Sequence, residues 1–232
     1  MSTLLLIRHG ETDYNVNGKL AGRKPGVPLN DKGRQQAEAV AEALKSAPIK
    51  FIYSSPMERT LETASYLSKC TGLEVQIAEG INETDIGEWT GRSVKQCART
   101  KLWTLVQNKP SELVFPGGES FMGIQARVVA ELEAIAARHP DDVVACFTHA
   151  DPIKLGLAHF LNMPFDSFQR LGSDNCSVSV LHFGKEGRIA VHKINHVVGP
   201  IWPERVDAKQ KKNGRKAEPK NGKRSGTVKW TS

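Results

Sequence analysis

Two short runs of consecutive apolar residues stand out in the pattern of hydrophobic and polar positions along this chain. Residues 4–7 (Leu-Leu-Leu-Ile) and residues 143–147 (Val-Val-Ala-Cys-Phe) contain no strongly polar side chain. An uninterrupted apolar run of this length predicts a strand that is buried on both faces of a sheet. Shorter segments at residues 51–53 and 74–77 predict two further strands, of which the second is weaker.

Between these strands, apolar residues recur three and four positions apart, which is the spacing of one helix face. Asn30 is suited to cap the first helix, and Pro56 to lie in the first turn of the second. The inward face of that second helix is predicted to consist of Met57, Leu61, Ala64 and Leu67. Asp151 is predicted to cap the last helix. Helices are thus expected over residues 31–46, 56–67, 93–107 and 119–138, and after residue 151.

Strand and helix patterns alternate along most of the chain, without an internal repeat. This alternation predicts an α/β fold, a three-layer α/β/α sandwich with a mostly parallel central sheet. Two late segments, 177–183 and 188–195, predict a closing hairpin. Apolar periodicity ends after Pro203, so we expect one catalytic domain over residues 1–204 and a disordered, basic tail over residues 205–232.

The net charge of +7 is concentrated in that predicted tail. Residues 205–232 contain ten Lys or Arg residues and two acidic residues, a net charge of +8. The other 22 basic and 23 acidic residues give residues 1–204 a net charge of −1. A nearly neutral body does not predict a nucleic-acid partner, except for nonspecific contact through the tail.

Hydropathy and cysteine spacing narrow the class of protein further. No apolar stretch approaches the roughly 20 residues that a membrane span needs, and no basic segment precedes the first apolar run. The four cysteines show no Cys-x-x-Cys spacing, which speaks against a cysteine metal site or a redox motif. We therefore expect a cytoplasmic protein that does not bind membranes.

Each of the two strongly apolar runs is followed by a histidine. Arg8 and His9 follow the first run, and His149 follows the second. The carboxyl ends of neighbouring parallel strands meet at one sheet edge, where α/β proteins bind ligands. Arg59, in the helix after residues 51–53, adds a second guanidinium there. Guanidinium groups bind phosphate oxygens and a neutral imidazole can attack phosphorus, so the pattern predicts a site for a phosphate monoester.

Two further groups are expected at the same edge. Asn15, in the loop after the first strand, is placed to donate a hydrogen bond to a phosphate. Ala150 lies at the start of the helix that follows His149, and backbone amides at a helix N-terminus favour an anion.

A series of motifs in this order resembles the histidine phosphatase superfamily, in its phosphoglycerate mutase-like branch. The resemblance covers roughly residues 3–195. It consists of Arg8-His9-Gly10-Glu11-Thr12 with Asn15, residues 28–37, residues 54–64 around Arg59, residues 83–91, residues 116–120, and Thr148-His149. Residues 151–154 (Asp-Pro-Ile-Lys) are similar to a subgroup labelled phosphomutase, a label that carries little substrate information.

The resemblance implies that His9 attacks the phosphoryl group and becomes phosphohistidine. It also implies that Glu83 protonates the leaving alkoxide and later activates water. Asp85 and Glu88 share the loop of Glu83 and stay open as alternative proton donors. The residues implied to bind and neutralise the phosphoryl oxygens are Arg8, Asn15, Arg59, His149 and Ala150. No metal and no cofactor are implied, because the arginines supply the positive charge.

The function predicted from these residues is hydrolysis of a small phosphorylated metabolite. A phosphomutase, which returns the phosphoryl group to a second hydroxyl, is the first alternative, and no segment suited to exclude water for that reaction is evident. A non-catalytic protein that binds a phosphorylated ligand is the second, and the intact set of charged residues argues against it. The physiological substrate is not identified, and a homodimer is left open.

Overall fold

A six-stranded sheet forms the centre of the computed structural model, which describes residues 1–198. The predicted basic tail, 205–232, lies outside the described residues. The strands are β1 (Ser2–Arg8), β2 (Ile49–Ser54), β3 (Val75–Ile77), β4 (Val143–Thr148), β5 (Val178–Phe183) and β6 (Ile189–His196). Their order is β3-β2-β4-β1-β5-β6. β1 to β4 pair in parallel, and β5 and β6 form an antiparallel hairpin at one edge, as predicted.

Helices cover both faces of this sheet. They are α1 (Asp13–Val16), α2 (Asp31–Leu44), α3 (Glu58–Thr71), α4 (Val94–Cys97), α5 (Lys101–Asn108), α6 (Phe121–Arg138) and α7 (Ala150–Phe160). Apolar side chains of α2 and α3 form one core with one face of the sheet, whereas those of α6 and α7 form a second core with the other face. The predicted three-layer α/β/α sandwich is therefore confirmed.

The apolar run of β1 has a simple explanation in this arrangement. Leu4 and Leu6 belong to the core with α6 and α7, while Leu5 and Ile7 belong to the core with α2 and α3. Because successive residues of a strand point to opposite faces, a strand covered on both sides needs an apolar residue at every position. The same reasoning applies to β4, whose central residues are buried.

Two predicted helix boundaries were wrong. The single helix expected over residues 93–107 is divided into α4 and α5, because Thr100 has an extended backbone between them. Ser93 caps α4 by accepting a hydrogen bond from the backbone N–H of Gln96. Asp151 is not the cap of α7, since the extended residue that precedes this helix is His149.

The second helix was predicted correctly only in part. α3 begins at Glu58, so Pro56 precedes it rather than lying in its first turn. Ala64 and Leu67 are buried as predicted, whereas Met57 and Leu61 are only partly buried. The buried face of α3 also includes Arg59, which lies inward at the sheet edge.

The register of β1 and β4 brings the two strand-end histidines together. Arg8 is paired with Thr148, and the backbone N–H of His9 donates to the carbonyl of Thr148. His9 and His149 are therefore neighbours at the carboxyl edge of the parallel strands. Within the described residues, no helix is long and apolar enough to cross a membrane.

Candidate active site

A cleft lies at the carboxyl edge of the sheet, where β1 and β4 end. Two loops border the cleft, at residues 19–22 and 83–86. The ring centroids of His9 and His149 are 5.2 Å apart, and both side chains are buried. The predicted site residues that line the cleft are Arg8, His9, Asn15, Arg59, Glu83 and Ala150. The structure thus gathers these side chains from five separate segments of the chain.

His9 is held with one ring nitrogen free to react. Its Nδ1 lies 2.7 Å from the carbonyl oxygen of Gly10, which can only accept, so Nδ1 carries the proton. Nε2 then keeps its lone pair and accepts a hydrogen bond from Nε of Arg59 at 3.3 Å. Burial, Arg59 and Arg8 lower the pKa of His9 well below its usual value, so the ring is neutral. Nε2 of His9 therefore has the lone pair that a nucleophile requires.

A close backbone approach fixes the turn that follows His9. A Cβ atom at Gly10 would come within 2.5 Å of the carbonyl oxygen of Gly33, which lies in the first turn of α2. Only glycine permits this separation. The N–H of Gly10 also donates to Oγ1 of Thr63 on α3, at 3.1 Å. The reactive histidine is therefore anchored to both helices of one layer.

Arg59 is a buried cation that points into the cleft. Its side chain is 2% exposed, and Nη2 donates to the carbonyl of Gly22 at 2.9 Å. Nη2 is also 3.5 Å from Oε2 of Glu83. Burial lowers the pKa of both Arg59 and Arg8, but a guanidinium remains charged at neutral pH. Two positive charges therefore face the same small volume.

His149 lies behind the cleft wall and is fully buried. Its Nε2 is 2.7 Å from Oγ of Ser55, which accepts a hydrogen bond from the N–H of Met57. The Ser55 hydroxyl also lies 3.4 Å from Oδ1 of Asn82, but Nε2 of His149 is the nearer acceptor, so we assign the proton of His149 to Nδ1. Nδ1 lies 3.4 Å from Oε2 of Glu83. Burial, with the charges of the arginines, lowers the pKa of His149 well below its usual value.

The carboxyl group of Glu83 bridges Arg59 and His149. Burial, together with Asp151, raises the pKa of Glu83, and this outweighs the opposing effect of Arg59. The two alternative acids are placed differently. Asp85 accepts a hydrogen bond from the N–H of Gly87, and Glu88 is exposed on the surface. Of these three acids, Glu83 is the one that lines the cleft.

Asn15 and Ala150 complete the cleft wall. Oδ1 of Asn15 accepts a hydrogen bond from the N–H of Thr12, so the Nδ2 amide group is the part that can donate to a ligand. Ala150 is the first residue of α7, where backbone amides have no partner in the preceding turn. Both residues therefore present donors.

Several buried donors around the cleft have no acceptor. Within the part of the chain that the structure describes, Nε of Arg8, Nη1 of Arg59 and Nδ1 of His149 lack a hydrogen-bond partner. Buried donors are nearly always satisfied in folded proteins. A set of unsatisfied donors with two positive charges is complementary to an anion with several acceptor oxygens, such as a phosphoryl group.

His9, Glu83 and His149 also deserve a test as metal ligands, since their ligand atoms lie within 4.8 Å of one another. A divalent cation at this point would be in contact with the guanidinium of Arg59, which is 3.3 Å from Nε2 of His9. Repulsion between like charges at such a distance is strong in a buried site. The donor set therefore fits an anion better than a metal ion.

Sequence reasoning missed two groups that support this site. Ser55, which fixes the ring of His149, lies in the segment 54–64 but was not singled out. Arg127 of α6 is 44 positions from Glu83 and donates to its carbonyl. The pattern offered one indication of this pair, since Glu119, the acidic partner of Arg127, lies in the Pro-Gly-Gly-Glu-Ser motif.

A parallel sheet edge with a neutral histidine, two arginines and a protonatable carboxyl group defines an enzyme that transfers phosphoryl groups. The chain belongs to the histidine phosphatase superfamily (branch 1), whose family model matches residues 4–196. The predicted family is confirmed, while its Asp-Pro-Ile-Lys subgroup stays a prediction.

Similar proteins agree with this family. The chain is 32% identical over 200 residues to phosphoserine phosphatase 1 of Hydrogenobacter thermophilus, covering 84% of this chain and 92% of that protein. It is 33% identical over 181 residues to a 2,3-bisphosphoglycerate-dependent phosphoglycerate mutase of Thermoplasma acidophilum, covering 78% and 87%. A solved mycobacterial glucosyl-3-phosphoglycerate phosphatase superposes with a TM-score of 0.77 at 28% identity, covering 84% and 99%. The protein is thus a phosphoric monoester hydrolase of the histidine phosphatase type.

Proposed function

We propose that this enzyme hydrolyses small phosphate monoesters through a phosphohistidine formed on Nε2 of His9. The observation that carries the proposal is the group of unsatisfied buried donors around a neutral imidazole whose Nε2 accepts a hydrogen bond from Nε of Arg59. Such a site binds a phosphoryl group and places a nucleophile next to phosphorus without further rearrangement of the ring.

In the first step, Nε2 of His9 attacks phosphorus, and the bond from phosphorus to the leaving oxygen breaks. Glu83 transfers its carboxyl proton to that oxygen, so the leaving group departs as an alcohol. In the second step, the Glu83 carboxylate takes a proton from water as the water oxygen attacks phosphorus. The bond from phosphorus to Nε2 breaks, which releases inorganic phosphate and restores the starting enzyme.

The remaining groups stabilise charge on the phosphoryl oxygens. Arg8 and Arg59 supply charged donors, and Asn15 and the amide of Ala150 supply neutral ones. Nδ1 of His149 is 3.4 Å from the Glu83 oxygen that also contacts Arg59. A phosphoryl oxygen that takes this place binds both donors and frees the carboxyl group of Glu83 for the leaving oxygen.

Two similar proteins guide the choice of substrates. One is named for phosphoserine and one for glucosyl-3-phosphoglycerate, so we infer that this chain also acts on a small phosphorylated metabolite. The similar phosphoglycerate mutase makes mutase activity the second candidate.

Phosphate release and isomerisation separate these two candidates. We expect the purified enzyme to release inorganic phosphate from at least one member of a panel containing phosphoserine, 3-phosphoglycerate, glycerol 3-phosphate and p-nitrophenyl phosphate. We expect no faster conversion of 3-phosphoglycerate to 2-phosphoglycerate when a bisphosphate primer is added. Primer-dependent isomerisation that outpaces phosphate release would instead assign the mutase reaction.

The pKa directions predict an acid-leaning pH profile. As the pH rises through the raised pKa of Glu83, the proton needed by the leaving group is lost and kcat/KM should fall. As the pH falls, activity should persist to below the usual histidine pKa of 6.5, because the pKa of His9 is lowered. The measurement is kcat/KM for an alkyl phosphate between about pH 4 and pH 9.

Two variants assign the limbs of that profile. Glu83→Gln should remove the fall on the basic side and leave a low, flat residual rate. Glu88→Gln changes an exposed acid in the same loop and should keep the wild-type profile. A flat wild-type rate across the range, or loss of the basic limb in Glu88→Gln, would contradict the assignment.

Location and partners form part of the same proposal. We infer a cytoplasmic enzyme, a view supported by four free cysteines in the described residues, since paired cysteines are typical of oxidising compartments. We also infer that the partner is a metabolite rather than a nucleic acid, because residues 1–204 carry a net charge of only −1 and the unsatisfied donors face a small cleft.

A further inference from the structure

Arg127 makes an unusually complete set of hydrogen bonds beneath the loop that carries Glu83. Its Nε and Nη2 atoms donate to the two carboxylate oxygens of Glu119, at 2.8 and 3.0 Å. Its remaining bonds go to three main-chain carbonyls, those of Gly80 at 2.9 Å, Asn82 at 2.8 Å and Glu83 at 3.0 Å. One planar cation thus holds the main chain before and at Glu83.

Glu119 holds the same loop on its other side. Its Oε2 accepts a hydrogen bond from the N–H of Asp85 at 2.9 Å, and its own N–H donates to the carbonyl of Asp85 at 2.9 Å. Although burial acts in the opposite direction, the hydrogen bonds from Arg127 lower the pKa of Glu119. The carboxylate is therefore charged at neutral pH and continues to bind both neighbours.

Arg23 extends these contacts to a second loop of the cleft. Its Nε donates to the carbonyl of Glu83 at 2.8 Å, and Nη2 lies 3.0 Å from Oε2 of Glu119. The neighbouring Gly22 accepts the hydrogen bond from Arg59 described above. We refer to Arg23, Glu119 and Arg127 together as the acid brace.

The acid brace lies outside the group of side chains that line the cleft. Arg127 bonds to the carbonyl of Glu83, not to its carboxyl group, so it acts on the direction in which that side chain projects. The carboxyl oxygen of Glu83 is 3.4 to 3.5 Å from His149 and Arg59, and a small shift of the main chain would displace it from both. Proton transfer depends steeply on such placement.

We propose that Arg127 and Glu119 are positioning residues that aim Glu83 at the leaving oxygen, with Arg23 linking this support to the loop at residues 19–24. The inference rests on the proposed function, because it takes Glu83 to be the general acid. It predicts that, in the first step, the loss of rate depends on how strongly the leaving oxygen needs a proton.

The test compares two leaving groups in one variant. An alkoxide is a poor leaving group and needs protonation, whereas p-nitrophenolate leaves without it. Arg127→Met should lower kcat/KM for an alkyl phosphate about 100-fold, the range of a general acid, and lower kcat/KM for p-nitrophenyl phosphate by less than about fivefold. The quantity compared is kcat/KM, because it reports the steps up to release of the leaving group and not the attack of water, in which Glu83 also takes part. Arg127→Lys should show the same preference in a smaller degree, because an ammonium cannot reproduce the planar array of donors.

A second variant and a matched control keep the test independent of folding. Glu119→Gln keeps the side-chain size and should show the same leaving-group preference. If Arg127→Met does not fold, this variant tests the positioning role alone. Arg138→Met removes another arginine of α6, one that pairs with Glu131 away from the cleft, and should affect neither substrate. Equal losses on both substrates in the folded acid-brace variants would overturn the proposal.

Glu83→Gln in the same assay separates the assignment of the general acid from the positioning role of the acid brace. If Glu83→Gln shows no selective loss on the alkyl phosphate, then the assignment of the general acid is wrong. If Glu83→Gln shows the selective loss and the acid-brace variants do not, then the proposed function stands and the positioning role fails.

Discussion

Replacing His9 with alanine is expected to lower kcat for phosphate monoesters by at least about 10,000-fold, as loss of a covalent nucleophile does in other enzymes. The imidazole is neutral, and Nε2 has its lone pair directed at the cleft. Alanine supplies neither a nucleophile nor a group that could hold the phosphoryl group between the two steps. Steady-state phosphate release from the best substrate of the panel gives this number directly.

Trapping the intermediate shows whether the loss has the proposed cause. Wild-type enzyme quenched during turnover of a labelled substrate should retain acid-labile label on His9, and Glu83→Gln should retain more label when water attack is slowed. His192→Ala, which changes an exposed histidine of β6, should behave like the wild type. Full activity of His9→Ala, or label on another residue, would disprove the phosphohistidine on His9.

Replacing Arg59 with methionine is expected to lower kcat/KM about 1,000-fold, because one charged donor in such a site contributes roughly 100- to 1,000-fold and Arg59 offers more than one. Its Nη1 lacks a partner among the described residues, and its Nε contacts the attacking nitrogen of His9. The variant should also lose affinity for inorganic phosphate, which calorimetry can measure.

The same variant is expected to be less stable than the wild type. Removing Arg59 leaves the carbonyl of Gly22 without its donor and separates Glu83 from a cation. Loss of one partner of a buried pair is destabilising, by up to about 3–5 kcal/mol. We therefore expect thermal unfolding of Arg59→Met at a lower temperature than that of the wild type, and the kinetics are measured well below that temperature. Retained turnover in the folded variant would contradict the role of Arg59 in binding the phosphoryl group.

Arg59→Lys separates charge from geometry at this position. Lysine keeps the positive charge but cannot donate in two directions from a planar group. Recovery of only part of the lost kcat/KM is expected. Complete recovery would mean that charge alone, without the paired donors, accounts for the contribution.

The hydrophobic pattern predicted an element correctly where that element is buried on both faces. The run at residues 4–7 requires a covered strand whichever helices cover it, so β1 was predicted correctly. The pattern was only partly reliable for α3, where Ala64 and Leu67 are buried as predicted but Met57 and Leu61 are not fully buried. The buried face of α3 also carries an arginine and two threonines, which apolar spacing does not predict.

The division of residues 93–107 into α4 and α5 has a similar cause. The helical spacing continues through this segment, but Thr100 adopts an extended backbone that starts a new helix. Periodicity alone does not locate such a break, because the residues on both sides pack on the same core.

The sequence by itself determined the class of fold, the family, and the chemical types that meet at the sheet edge. Apolar runs indicate the buried strands, and the order of motifs fixes which residues follow those strands. The tertiary structure decided the tautomer of His9, the contact of Glu83 with Arg59 and His149, and the support of Glu83 by Arg127. Those contacts join segments that are far apart in the chain, and their distances depend on packing that no local pattern specifies.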